Sequence, residues 1–236
     1  MADPEALALP FREAIRFFRA KQRIPTAAWT DIWQAQHAKA FVVAGAQREA
    51  LLADFQGAIA KALEDGTTLA EFRRDFDAIV ARHGWRFKGG RDWRSRVIFD
   101  TNLRSAHAAG KWEQIERLKD SAPFLRYVAV LDDRTRPDHA AWHGTVLPAD
   151  DPWWDTHYPP NGWYCRCTVQ QLSERDLERR SLTVSAAAPP APLVTHTVAT
   201  PAGPRTVRIP EGIDPGFAFN AGKAAAGQTT GMGDLR

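Results

Sequence analysis

The sequence predicts an α+β protein with a mainly helical N-terminal half, a small β-containing C-terminal half built on a Cys/His cluster, and an extended Pro-rich tail. Three observations carry that reading. Apolar residues recur at helical spacing over residues 10–118, a β-branched and aromatic run follows Pro123, and five His and Cys side chains crowd into residues 132–167. The expected divisions are a helical region (1–122), an α+β region with the Cys/His cluster (123–180), and a tail ordered against a partner (181–236).

Pro10 opens an amphipathic segment with Phe11, Ile15 and Phe18 on one stripe and Arg12, Arg16 and Arg19 elsewhere. After Pro25, the residues Trp29, Ile32, Trp33, Ala40 and Phe41 predict a second helix that Gly45 closes. Leu51, Phe55, Ile59 and Leu63 predict a third, ended by Gly66. Thr68 with Glu71 three residues later is a capping box for a fourth, carrying Leu69, Phe72, Phe76, Ile79 and Val80 as far as Gly84. A long helix follows over residues 93–118, with Val97, Trp112 and Ile115 close to one face. Phe124, Tyr127, Val128 and Val130 then read as a strand over residues 124–131. After Leu172, Ser173 caps a short charged helix. Beyond Ser181 lie seven of the sixteen prolines and a single convincing strand, at residues 206–209.

The segment 132–167 carries the chemistry. It holds His139, His143, His157, Cys165 and Cys167, both cysteines of the chain among them. Thr135 can cap a short helix whose first turn contains Pro137 and Asp138 and which Gly144 ends, setting His139 and His143 four apart on one face. If residues 164–169 form a strand, Cys165 and Cys167 leave the same side of it. Two imidazoles facing two thiolates are the ligand set of a structural zinc site, so His139, His143, Cys165 and Cys167 are the expected ligands. Asp132, Asp133 or His157 could replace His143 as the fourth. A disulfide between residues two apart is badly matched to the geometry of bridged cysteines. The plainer alternative makes both cysteines small buried strand residues and His139 a local hydrogen-bonding group.

Between Arg82 and Arg104, seven Lys or Arg stand against two Asp, with Trp85, Phe87 and Trp93 interleaved. Arg86, Lys88, Arg91, Arg94 and Arg96 are the expected nucleic-acid contacts, to the backbone with stacking beside it. The competing reading is a solvated helix face around core tryptophans.

At 236 residues, 44% hydrophobic and 25% charged, the chain suits one sizeable domain with appendages or two small ones. A net charge of +3 permits a nucleic-acid partner without requiring one. No secretory pattern opens the sequence and no run of eighteen apolar residues occurs, which argues against a membrane span. Two unbridged cysteines suit a reducing compartment. The zinc-protease and deaminase signatures fail: His139-Ala140-Ala141-Trp142-His143 lacks the glutamate beside its first histidine, and no Pro-Cys-x-x-Cys occurs.

The sequence resembles the phage Mu protein F-like group of head morphogenesis (minor head) proteins. The blocks that carry the likeness, in order, include Ala40-Phe41-Val42-Val43-Ala44-Gly45, Thr101-Asn102-Leu103-Arg104, Arg136-Pro137-Asp138-His139, Pro159-Pro160-Asn161-Gly162-Trp163, Cys165-Arg166-Cys167 and Ile213-Asp214-Pro215-Gly216-Phe217. The resemblance implies a virion-associated structural role near the portal, at low copy number, with no established enzymatic activity. It implies assembly in the host cytoplasm followed by residence in the head, with the portal or major capsid protein as partner and packaged DNA as a second. His139, Cys165 and Cys167 fall on the group's characteristic positions, whereas relatives often carry a carboxylate where His143 stands. No membrane partner or small-molecule substrate is expected. The enzymatic alternative is a metal-dependent nuclease or other hydrolase.

Overall fold

The computed structural model describes residues 10–228. Helix α1 (Arg12–Arg19) buries Ala14 and Phe18 and leads into a two-residue strand, β1 (Gln22–Arg23). The helix expected across Trp29 and Phe41 is broken up. It becomes a 3-10 turn (Trp29–Asp31), a single turn α2 (Gln36–Lys39) and a strand β2 (Ala40–Phe41) that pairs in parallel with β1. Side chains competing for the backbone explain this. Asp31 accepts from the Ala27 and Ala28 amides at 2.7 and 3.1 Å, Gln36 accepts from Trp33 at 2.6 Å, and Gln34 adopts φ 46°.

The next two helices follow their sequence signals closely. Helix α3 (Glu49–Asp65) ends on Gly66 and α4 (Leu69–His83) on Gly84, each glycine in the left-handed conformation that a side chain would resist. The Thr68–Glu71 capping box opens α4. Helix α5 (Arg91–Leu118) is the longest helix among the described residues, at 28 residues. Its first half contributes Ile98, Phe99 and Ala106 to a core with Phe18, Phe41, Leu52, Phe55, Ile59, Phe72 and Phe76. Its second half turns Trp112 and Ile115 into a separate core. Gly110 lets α1 lie directly on α5, for a Cβ there would come within 2.5 Å of the Ala14 backbone nitrogen.

The second core is built on strand β3 (Phe124–Val128), which alternates so that Leu125 and Tyr127 are fully buried. After the short helix α6 (Pro137–Ala141), strand β4 (Val146–Pro148) pairs antiparallel along one edge of β3. Helix α7 (Trp154–His157) follows, and strand β5 (Thr168–Leu172) pairs along the other edge, with Tyr127 opposite Val169. Ser173 caps helix α8 (Glu174–Arg179) through the Asp176 amide.

The tail differs from expectation. Strands β6 (Leu193–Thr200) and β7 (Gly203–Pro210) form a full hairpin, and the chain then returns to the second core with Ile213, Phe217 and Ala218 buried. Asn220 caps helix α9 (Ala221–Ala225), which packs on α5 and α2, and Lys223 pairs with Asp155 at 2.5 Å. As far as residue 228, then, this segment is ordered on the chain itself. The apolar side chains of residues 213–224 supply the burial that their Pro- and Gly-rich setting disguised.

Candidate metal centre

Pro137 occupies the first position of α6, where its missing N–H costs nothing, and the helix turns His139 inward to 2% exposure. The His139 ring stacks on Trp142, with centroids 5.1 Å apart. Its Nε2 lies 3.0 Å from the Gly212 carbonyl oxygen, which can only accept, so the proton sits on Nε2 and the Nδ1 lone pair is free. That Nδ1 is 3.7 Å from Cys165 Sγ and 3.6 Å from Cys167 Sγ. All three donor atoms lie within 4.8 Å of one another.

The two sulfurs converge for a reason other than strand alternation. Strand β5 begins only at Thr168, and Tyr164, at φ 60°, turns the chain so that the Cys165 amide closes onto the Gly162 carbonyl at 3.2 Å. His143 is not brought in. Helix α6 stops at Ala141, the chain turns away at Gly144 (φ 86°), and His143 Nδ1 instead accepts from the Ala129 amide at 3.1 Å. His157 is walled off by tryptophans, stacked on Trp153 at 4.4 Å and edge-on to Trp142 at 4.9 Å. The Asp132 carboxylate is held by Arg166 and Arg134. Among the described residues the donor group is therefore His139, Cys165 and Cys167, without His143, His157, Asp132 or Asp133.

The electrostatics suit a cation. The Cys165 thiol is pushed down, chiefly by the hydrogen bond from Cys167, which stabilises its thiolate. Cys167 moves the other way, because the Cys165 sulfur holds its proton and burial opposes a second charge. Buried Cys165 is thus the readier thiolate, and half-buried Cys167 the one that holds its proton. A divalent ion would displace it and neutralise both thiolates. One imidazole nitrogen and two thiolates are donors that zinc takes readily, and the Nε2–H···O=C bond is the outer contact that fixes a ligating histidine.

The tail braces this site. Arg136, next to α6, donates to both oxygens of Asp214 and to the Trp163 carbonyl, and Asp214 also accepts from the Trp163 amide at 2.8 Å. Gly162 has no side chain because Asp214 and Arg136 occupy the space a Cβ would need. Tyr127 reaches up from β3 to donate to Asn161 at 2.9 Å. Gly212 and Asp214 were absent from the expected site. The one sequence signal for them was the block containing Asp214, whose lone acid between Ile213 and Pro215 carried no hint of a partner 78 residues away.

The basic stretch is spread over different environments. Arg94 is buried, donating to the Ala44 carbonyl and lying over Trp85. Arg91 is exposed but paired with Asp77 and Asp92, and Arg96 with Asp100. Arg86 and Lys88 are exposed. Trp85 and Phe87 pack on the first core, whereas Trp93 is 49% exposed.

Comparison with known proteins gives a consistent family. Residues 53–170, which contain the three donors, match the model described as phage Mu protein F like protein. The chain is 38% identical over 194 residues to the putative capsid assembly protein F of Escherichia phage Mu, covering 76% of this chain and 44% of that protein. It is 37% identical over 167 residues to the Mu-like prophage FluMu F protein of Haemophilus influenzae, covering 66% of this chain and 40% of that one. The chain thus spans less than half the length of these curated relatives. No solved structure matches it.

Proposed function

Because the chain belongs to the phage Mu protein F-like family, we propose that it is a minor head protein acting in phage or prophage head morphogenesis near the portal, structural rather than catalytic. The observation that carries this is the 38% identity to a protein named for capsid assembly. Its partners on this reading are the portal protein, the major capsid protein or both, met in the host cytoplasm during assembly and then within the virion head. The site supports a structural role. Both sulfurs aim at one buried imidazole nitrogen, and the tail is bolted over that nitrogen's ring. Zinc held by His139, Cys165 and Cys167 would fasten α6, the loop before β5 and residues 212–214 into one unit, with the remaining position filled by solvent or an outside donor.

The test is quantitative mass spectrometry of proheads and mature particles from the encoding phage, counting this chain against the portal protein. A few reproducible copies in both establish a resident head component. Presence in proheads with loss from mature particles would make it a transient assembly factor. Absence from both would overturn the reading.

One observation favours a second reading, a metal-dependent hydrolase: three protein donors leave an open coordination position, as hydrolytic zinc sites do. Cleavage of duplex DNA by the zinc-loaded chain, abolished by Cys165→Ser, would move the assignment there. Packaged DNA as a plain binding partner is carried best by Arg86 and Lys88, since Arg91, Arg94 and Arg96 already have partners within the fold. If they contact phosphates, Arg86→Ala with Lys88→Ala lowers the salt slope of duplex binding by about 2.

A further inference from the structure

A cavity of about 420 Å³ opens at Trp163 and Tyr164, just before Cys165 in the chain, and parts of four of the sequence blocks meet around it. Val42 to Ala44 line one side, Thr101 and Asn102 another, with Pro160 and Trp163 and then Gly216 and Phe217 completing the wall. The lining is mostly apolar and aromatic, and its volume falls within the roughly 300 to 1,000 Å³ of ordinary ligand pockets.

Two cations are built into this wall. Lys21 and Arg94 are 7% and 9% exposed. The Lys21 ammonium donates to the His37 carbonyl at 2.8 Å and lies over the Phe17 ring, with no carboxylate partner among the described residues. Arg94 spends one guanidinium nitrogen on the Ala44 carbonyl and rests over Trp85, while its buried Nε finds no acceptor. No aspartate or glutamate lines the cavity among the described residues. Two desolvated cations without a counter-charge are costly, and burial alone pushes the Lys21 ammonium down to about 8. The apolar surface continues outward, because the lining residues Trp93 and Tyr164 are 49% and 37% exposed. An enclosed small molecule would not need those rings. A polypeptide lying across the mouth would, and Trp, Tyr and Arg are the side chains that anchor such contacts.

We propose that this cavity is a docking site for a peptide segment of a partner protein that inserts an apolar side chain accompanied by a carboxylate, which pairs with Lys21 and Arg94. The inference stands on the cavity and its charges and does not depend on the head-assembly reading. The occupant supplies the negative charge that Lys21 and Arg94 lack, while Trp93 and Tyr164 cover its flanks.

The experiment pans a random twelve-residue peptide library on the whole chain, then measures selected peptides against three targets: the unmodified chain, Lys21→Met, and Val97→Trp. The last blocks the cavity from its wall without removing charge. Expected are selected sequences in which Asp or Glu neighbours Leu, Phe or Trp, bound about tenfold or more weakly by Lys21→Met and by Val97→Trp. Replacing the selected acid with its amide should weaken binding to the unmodified chain and leave Lys21→Met little affected. Selected peptides without an acid, equal binding by all three proteins, or no selection at all would overturn the proposal. So would saturable binding of the anionic dye anilinonaphthalene sulfonate in the cavity with no peptide selected, which would make the site one for small amphiphiles.

Discussion

Arg136 and Asp214 lie 78 residues apart and meet in a two-pronged ion pair, with nitrogen–oxygen distances of 2.9 and 2.8 Å. Paired forks of this kind combine charge with fixed orientation. Asp214 also takes the Trp163 amide at 2.8 Å, a shorter contact than the 3.2 Å bond from Arg136 to the Trp163 carbonyl, so Asp214→Ala should cost more than Arg136→Ala. Both residues are partly exposed, so the expected losses are about 2 and about 1 kcal/mol, or a few degrees in melting temperature. Equal losses in thermal unfolding of the two variants would show that the amide contact to Asp214 is worth no more than the carbonyl contact to Arg136.

The metal reading predicts about one zinc per chain, measured by elemental analysis of protein purified without added metal. The double variant Cys165→Ser, Cys167→Ser should lose both the zinc and the fold around it. Structural zinc contributes roughly 10 to 16 kcal/mol in small modules, as much as an ordinary domain's whole stability of about 5 to 15. His143→Ala should keep its zinc, because that imidazole serves the Ala129 amide. A serine variant with full zinc content and intact circular dichroism would refute the site.

Burial between Trp153 and Trp142 holds the His157 imidazole down to about 4. The unfolded chain, with an ordinary histidine near 6.5, binds this proton first as pH falls. His157 therefore adds stability that is fully present above about pH 6.5 and drains away toward pH 4, with about 2 kcal/mol gone by pH 5. In saturating zinc, His157→Phe should unfold with a flatter pH dependence between pH 7 and 5. Parallel curves for the two proteins would contradict this.

Helix α9 meets α5 so closely that a Cβ at Gly222 would overlap the Trp112 side chain. Gly222→Val should therefore loosen the C-terminal return, at about 1 to 3 kcal/mol. Limited proteolysis should then cut the variant after residue 211 faster than the unmodified chain.

The helices α3 and α4 were plain in the sequence because each carries its own punctuation: a regular apolar face, Gly66 or Gly84 at the end, and for α4 the Thr68–Glu71 box. His139, Cys165 and Cys167 were legible as a donor set from residue type and closeness alone. His143 was expected beside His139, but i, i+4 spacing brings the two together only while a helix lasts, and α6 ends at Ala141. The tail was misread because a Pro- and Gly-rich composition resembles disorder unless a partner surface is known. Here that surface is the chain's own second core, which buries Ile213 and Phe217.

The His139–Gly212 contact also fixes an order of events during synthesis. The histidine and both cysteines leave the ribosome well before the carbonyl that orients the imidazole. At roughly 5 to 20 residues per second, the thiols spend seconds outside the tunnel with their bracing segment still unmade. Any ion captured in that interval is held by a half-built cradle, and the segment at Gly212 and Asp214, which follows the hairpin, acts as the latch.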